Sequence, residues 1–393
     1  MLEFELKHLA VEFDSVTIVC SDLESPQKFI LPVESKILRY RPQLSLFDKL
    51  FAFKYFFHQL VWKEFIIVKK LKIPITIKLI TQIIYSFALG KKSKKFFDKL
   101  NSDYSSSNNY FYSWWTTDST LGFSLLRKNK NIIAVSRARA IDVYFERHNP
   151  AYLPFRKLIY DNLDAVFCIS DEGKNYICDK FKSIGISSEK VLISRMGVVN
   201  RFGNVNNKFK SGVFQIVSCS NIIPLKRIHL IIEALSKTDG FSIMWRHFGA
   251  GPLDSQMEKL ATDLLRDKPV KFSFEGYKNN NELMNFYNSN YVDLFINVSE
   301  YEGVPVSIME AFSFGIPAIA TNVGGVAELV SSESGYLLDV NVSSDQIANC
   351  IKVFCNLARY EQNALRFKAK ETWFNFYNAD RNFENIAKII SQL

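Results

Sequence analysis

Apolar positions along the chain follow two alternating rhythms. Leu2, Leu6, Leu9 and Phe13 recur at helical spacing, and SVTIVC (Ser15–Cys20) then runs as a continuous apolar stretch of strand length. Further strand-like runs lie at Lys36–Tyr40, Asn109–Trp114, Ile132–Ser136, Ala165–Ser170 and Val191–Ser194. A second series lies at Val213–Cys219, Phe241–Phe248, Val270–Phe274, Val292–Val298 and Pro317–Thr321. Helical patterns separate most of them. Short buried strands alternating with helices predict a parallel sheet wrapped by helices, once per series. The polar stretch Arg195–Asn207, with Gly197 and Gly203, is the expected linker. This gives an α/β first domain over 1–198, a second over 205–370 and a terminal helix over 371–393. No repeat of fixed period occurs.

Two places break the rhythm. The insert 44–100 is rich in Phe, Ile and Lys, as in LFDKLFAFKYFFHQLVWKEFIIVKKLKI and KKSKKFFDKL. Long basic stems beside aromatics suit a membrane interface; amphipathic helices packed on the first domain would give the same pattern. Its most membrane-like part, Ile73–Gly90, holds Pro74, Lys78 and Gln82 and predicts a helix that does not span. Asn101–Asn109 (NSDYSSSNN) predicts a surface loop. The other break is the start. An open α/β domain begins with a strand and a Gly-containing loop, whereas this chain begins inside the helix that follows them. The expectation is that the numbering starts late, through a misplaced start codon or a truncation; an in-frame stop codon directly upstream of Met1 would contradict it.

Composition narrows the class. The chain has 393 residues, 48% hydrophobic and 23% charged, enough for two globular domains. Lys plus Arg exceed Asp plus Glu by 49 to 40, a net charge of +9, and Phe numbers 34. Such a chain suits an anionic membrane face, nucleic acid or phosphorylated substrates, and equally an ordinary positive surface. Six cysteines show no CxxC pair, which predicts reduced thiols of a cytosolic protein. Five histidines form no HExxH pattern, and no structural metal is expected. Glu3, Glu5 and Lys7 stand where a signal peptide would be apolar. A Walker loop is absent from the sequence, which argues against an NTPase.

The stretch 299–321 reads SEYEGVPVSIMEAFSFGIPAIAT. Glu302 and Glu310 flank a Gly303-Val304-Pro305 turn and the start of an apolar-periodic helix. Pro305 suits the first helical position, Gly315 the left-handed residue past the helix end, and Pro317 the stop. Free N–H groups at the helix start make a seat for phosphate. One acid beside that seat and another two turns on form a layout for a sugar nucleotide: Glu302 towards the sugar, Glu310 towards ribose hydroxyls. In VSCSNIIPLKRIHLIIEAL (Val217–Leu235), Lys226 and Arg227 stand where a loop enters a helix and add cations at a diphosphate site. HFGAGPLD (His247–Asp254) is similar to a dinucleotide fingerprint, but Asp254 takes the last glycine position.

Residues 299–321 resemble the E-x7-E signature of retaining GT-B glycosyltransferases, in particular family 4. EGVP, GIPAIAT and NVGG follow in order; the likeness covers about Tyr110 to Phe383 and is dense from Val217 to Val330. The resemblance implies two Rossmann-like doubly wound domains facing across a cleft, with the last helix crossing back to the first. It implies retaining transfer of a sugar from a UDP- or GDP-sugar to a hydroxyl of a glycan or lipid-linked acceptor, in bacterial surface polysaccharide synthesis. No separate cofactor and no nucleic-acid partner are implied, and the basic insert would rest on the anionic inner face of the membrane. Lys226 matches the family's cation, and the N–H groups after Gly303 would meet phosphate. Gly249 and Gly251 would let backbone approach the nucleotide, the backbone near Gly276 and Tyr277 would meet the base, and Gly324 and Gly325 would open a helix below the cleft.

Departures accompany the likeness. Ser220 and Asn221 stand where the family has Gly-Arg, which leaves Arg227 as the candidate substitute cation. SRARAIDVY (Ser136–Tyr144) is similar to a run in which the family's His faces donor and acceptor. Here Arg139 takes that place and Ala140 replaces a glycine. Arginine stays protonated and cannot act as a base, though it could bind a phosphate or carboxylate. Asp142 is kept, as an acceptor-orienting group or a helix cap. SRMGV (Ser194–Val198) is similar to the family's hinge strand, with Arg195 and Gly197 near the cleft. No DxD pair occurs, so a metal-held diphosphate is not expected. Two alternatives remain: a GT-B-shaped nucleotide-sugar-binding subunit that has lost catalysis, or a sugar-nucleotide epimerase.

Overall fold

The computed structural model describes residues 2–21, 35–104, 109–127, 132–202 and 212–393. Gly203 and most of the expected linker lie outside the described residues, as does part of the expected loop 101–109. The strands are β1 (Val16–Cys20), β2 (Ser35–Arg39), β3 (Tyr110–Ser113), β4 (Ile133–Ala138), β5 (Ala165–Cys168), β6 (Val191–Ile193), β7 (Phe214–Cys219), β8 (Ile243–Phe248), β9 (Val270–Phe274), β10 (Leu294–Asn297), β11 (Ala318–Thr321) and β12 (Gly335–Leu338). Two units emerge. One comprises Leu2–Arg195 with Phe383–Leu393, the other Met196–Asn382.

In the first unit β3, β4, β5 and β6 form a parallel sheet in that order, while β1 and β2 pair in a parallel sheet of their own. The helix Leu2–Glu12 buries Leu6 and Leu9 as its periodicity predicts, and also buries Glu5. Glu5 Oε1 accepts hydrogen bonds from Arg137 Nη2 (3.0 Å) and Tyr112 OH (2.7 Å), so a buried ion pair ties this helix to β4. The insert folds as helices Leu46–Ala52, Gln59–Lys70 and Ile77–Asp103. The last buries Leu79, Ile83, Ile84 and Phe87 in the core, and among the described residues no helix is long and apolar enough to cross a membrane. It crosses the helix Asp118–Arg127 at close range because both contribute glycine: a Cβ on Gly122 would lie 2.4 Å from Ser93 Cβ and 2.9 Å from the Lys94 backbone nitrogen.

The second unit holds a six-stranded parallel sheet, ordered β12-β11-β10-β7-β8-β9. The chain runs outward from β7 through β8 to β9, then returns to the other side of β7 and runs outward from β10 to β12. This is a doubly wound sheet whose winding reverses between β7 and β10. β12 was not expected; GYLL has only four residues and no alternation to mark it. The expected helix 371–393 is three pieces: the end of the helix Arg359–Thr372, a π-helical turn Trp373–Tyr377, and the helix Ala379–Ser391. Val198 and Asn378 form a parallel bridge, and Trp373 Nε1 donates to the Val198 carbonyl (3.1 Å). Gly197 permits this, since a Cβ there would lie 2.5 Å from the Tyr377 carbonyl oxygen.

The close helix crossing yields a test. Gly122→Ala pushes a methyl into backbone and should destabilise the protein by about 1–3 kcal/mol in urea denaturation. An unchanged midpoint would show that the two helices can part at little cost.

Candidate functional site

Two loops meet at the carboxyl ends of β7 and β10, where the winding of the second sheet reverses. Open α/β sheets bind ligands at such a place, because the loops there diverge to opposite faces. The loop after β7 tightens into a 3-10 turn at Pro224–Lys226, and Arg227 takes a left-handed conformation (φ 50°) before the helix Ile228–Leu235. Here the guanidinium of Arg227 bridges the loops. Its Nε donates to the Val298 carbonyl (2.7 Å), Nη2 to the Ser299 carbonyl (3.2 Å) and Nη1 to the Val340 carbonyl (2.6 Å). The Glu300 N–H adds a bond to the Leu225 carbonyl (2.9 Å). Arg227, expected as a substitute phosphate cation, gives three of its five N–H donors to backbone carbonyls and so clamps the two loops together.

Lys226 stands beside it on the same loop. Its Nζ lies 2.5 Å from Glu302 Oε1, and the side chains are 18% and 12% exposed. Ser299 Oγ (2.7 Å) and Asn297 Nδ2 (3.2 Å) donate to the same oxygen. Three residues from two strand ends thus fix one carboxylate. Ser299 and Asn297 escaped the sequence reading; the signal for them was position alone, at the end of β10 just before Glu302. Asn221 stands exposed on the loop after β7.

The helix Val306–Ser313 starts directly after Glu302, Gly303 and Val304. Pro305 is its N-cap rather than its first turn, and no side chain caps it. At the far end Gly315 has φ 68°, as predicted, and the Ile316 N–H reaches back to the Ala311 carbonyl (3.0 Å). Glu310 is buried on this helix, and its Oε1 accepts from Asn280 Nδ2 (2.5 Å). Burial raises its carboxyl to about 7, only partly opposed by Asn280.

The glycines serve the loops themselves. A Cβ on Gly249 would lie 1.8 Å from the Ser220 carbonyl oxygen, and one on Gly251 would lie 2.3 Å from that of Ile222. Their bareness lets the loops after β7 and β8 touch. Gly324 (φ 54°) lies under the acidic turn, where a Cβ would meet the Glu302 carbonyl at 2.0 Å, and the Gly325 N–H donates to the Gly303 carbonyl (2.7 Å). Buried His247 also braces the loop: Nε2 donates to the Ser220 carbonyl (3.1 Å) and Nδ1 accepts from Ser218 Oγ (2.8 Å). Burial pushes its pKa down to about 4, so the ring is neutral. The Gly276 carbonyl is taken by the Gly249 N–H (2.9 Å), and Tyr277 stands 76% exposed beside it.

Asp142 and Arg139 belong to the first unit. Buried Asp142 accepts the Thr116 N–H (2.5 Å) on one oxygen and the Arg139 N–H (2.6 Å) on the other. That is the bonding of a cap, the alternative to an acceptor-orienting role, and burial raises its carboxyl to about 6. Arg139 lays its guanidinium over Trp115 (4.4 Å) and Trp114 (5.7 Å). Arg195 pairs with Asp171.

The second unit is thus a doubly wound domain with a lysine–carboxylate pair at its switch point. Residues 204–371 match the family of glycosyl transferases group 1. A stretch of 198 residues is 28% identical to a putative colanic acid biosynthesis glycosyltransferase, WcaL, of Salmonella typhimurium, covering 48% of this chain and 47% of that one. The chain therefore spans about half the length of that curated relative. Among solved structures, the lipopolysaccharide outer core galactosyltransferase WaaB superposes with a TM-score of 0.61 at 18% identity, over 78% of this chain and 82% of that one. Anabaena HepE in complex with UDP gives 0.59 at 18%, with the same coverages. The fold is that of GT-B glycosyltransferases.

Glu310 supplies a pH test. A carboxyl whose folded pKa is raised holds its proton between its unfolded pKa of 4.5 and about 7, so stability is full below that window and falls as pH rises through it. Glu310→Gln removes the effect and should gain on the parent protein by on the order of 3 kcal/mol between the acid and alkaline sides of the window. Parallel urea curves at both pH values would contradict the burial of this acid.

Proposed function

We propose that the protein is a retaining, metal-independent glycosyltransferase, which moves a sugar from a UDP- or GDP-sugar to a hydroxyl of a glycan or lipid-linked acceptor in surface polysaccharide assembly. The observation that carries this reading is the Lys226–Glu302 pair at the switch point, directly before an uncapped helix start. The relatives support it: one is named for colanic acid biosynthesis, another for the lipopolysaccharide outer core, and HepE holds UDP.

In this reading the donor's diphosphate takes Lys226 and the first N–H groups of the helix Val306–Ser313, the same groups that would meet charge on the leaving phosphate. Glu310 accepts from the ribose hydroxyls, and Glu302 lies by the sugar. The bond from the anomeric carbon to the phosphate oxygen breaks while one to the acceptor oxygen forms. The acceptor's proton ends on the departing diphosphate, whose oxygens are the developing base. Arg139 has no basic lone pair, which fits a reaction that asks little acid–base work of the protein. The lysine supplies the positive charge that a divalent cation gives elsewhere, which supports a metal-independent reaction.

The test is nucleotide release from UDP- and GDP-sugars, with and without acceptor. Lys226→Ala should lower kcat about 100-fold while leaving affinity for the free nucleoside nearly unchanged. Saturable nucleotide binding without turnover of any donor would replace this reading with the non-catalytic binding subunit.

A further inference from the structure

We propose that the segment 46–78 of the first unit is a docking surface for an anionic lipid bilayer. Its apolar side chains point outward. Leu46, Phe47, Leu50, Phe51, Phe57 and Ile77 are 65–85% exposed. Leu46 and Leu50, like Phe47 and Phe51, are four apart and share one face of the helix Leu46–Ala52. That helix is fixed in place. Ser45 and Asp48 close a capping box at its start, Lys92 holds Asp48 at 3.1 Å, and Ala52 is buried beneath it. The exposed face is thus held out to solvent by the fold, although water disfavours such a surface. The patch continues through ring contacts: Phe56 touches Phe57 (centroids 5.5 Å apart) and Trp62 (5.6 Å), on the helix Gln59–Lys70.

Charge selects the partner. The segment carries Lys49, Lys54, Lys63, Lys69, Lys70, Lys72 and Lys78, all exposed. Its two acids present no competing charge to a partner. Asp48 is bonded to Lys92 and to its own cap, and Glu64 is buried, accepting from Tyr152 OH and the Phe155 N–H (both 2.5 Å). Burial raises Glu64 to about 7. The cations are all lysine, with no arginine in the segment. Protein interfaces favour arginine and deplete lysine. Lysine stems beside Phe, Leu and a half-exposed Trp are instead the composition of a helix that lies at a lipid headgroup layer. None of the residues placed at the candidate site lies in this segment. The inference deepens the proposed function, since a lipid-linked acceptor would lie in that bilayer, but its observations are separate.

The experiment uses the full chain with phosphatidylcholine vesicles, with and without phosphatidylglycerol, read by cosedimentation. The protein should sediment with the anionic vesicles and be released by salt. The triple variant Phe47→Ser, Phe51→Ser, Phe57→Ser should bind at least about tenfold more weakly, with an unchanged urea midpoint as the control for folding. Replacing Lys49, Lys54 and Lys63 by Gln should abolish the preference for anionic lipid. Absence of binding to anionic vesicles, equal binding by the triple variant, or a dimer that this variant dissolves without any vesicle binding would overturn the proposal. Vesicle binding without turnover of any donor would sink the enzymatic reading and leave this one standing.

Discussion

The clamp between the loops after β7 and β10 is the constraint on which the candidate site depends. Arg227 ties its loop to the carbonyls of Val298 and Ser299, and Glu300 bonds back to Leu225. Only with the loops so joined do Lys226 and Glu302 stand 2.5 Å apart at the reversal of the sheet. A lysine and a carboxylate on loose loops would be a surface pair of little energetic weight. Held by backbone bonds and flanked by Ser299 and Asn297, they are a preformed charge arrangement. The bare glycines beneath it extend the same constraint, because Gly249, Gly251 and Gly324 let neighbouring loops approach to distances no side chain permits.

Much of this was legible in the sequence, for identifiable reasons. Five strands of the second sheet announced themselves because buried parallel strands are uninterrupted apolar runs. The turn at Gly303-Val304-Pro305 and the left-handed Gly315 follow from backbone chemistry that only certain residues tolerate. What escaped was partnership. Nothing in the order of residues says that Arg227 bonds the carbonyls of Val298, Ser299 and Val340, or that Gly249 clears space for Ser220. Arg227 read as a candidate phosphate cation because sequence shows charge and not the bonds a side chain makes. β12 escaped because four residues carry no period. The acid at position 5 read only as an obstacle to a signal peptide, yet it is the buried partner of Arg137.

The first unit departs further from the family's pattern. Arg139 lies on Trp115 and Trp114, and Asp142 is occupied by backbone N–H groups. Its helical insert is divided by face: the helix Ile77–Asp103 buries Leu79, Ile83 and Phe87 and the helix Gln59–Lys70 buries Val61 and Val68, while other apolar side chains and lysines of the segment 46–78 turn outward. One amphipathic pattern thus serves two ends, and only burial tells which residues serve which.

The central claim is that Lys226 and Glu302 mark the seat of a nucleoside diphosphate. A crystal structure of the protein with UDP tests it most directly. The β-phosphate should lie within hydrogen-bond distance of Lys226 Nζ, with the ribose hydroxyls donating to Glu310. UDP bound away from the ends of β7 and β10, with Lys226 untouched, would contradict it.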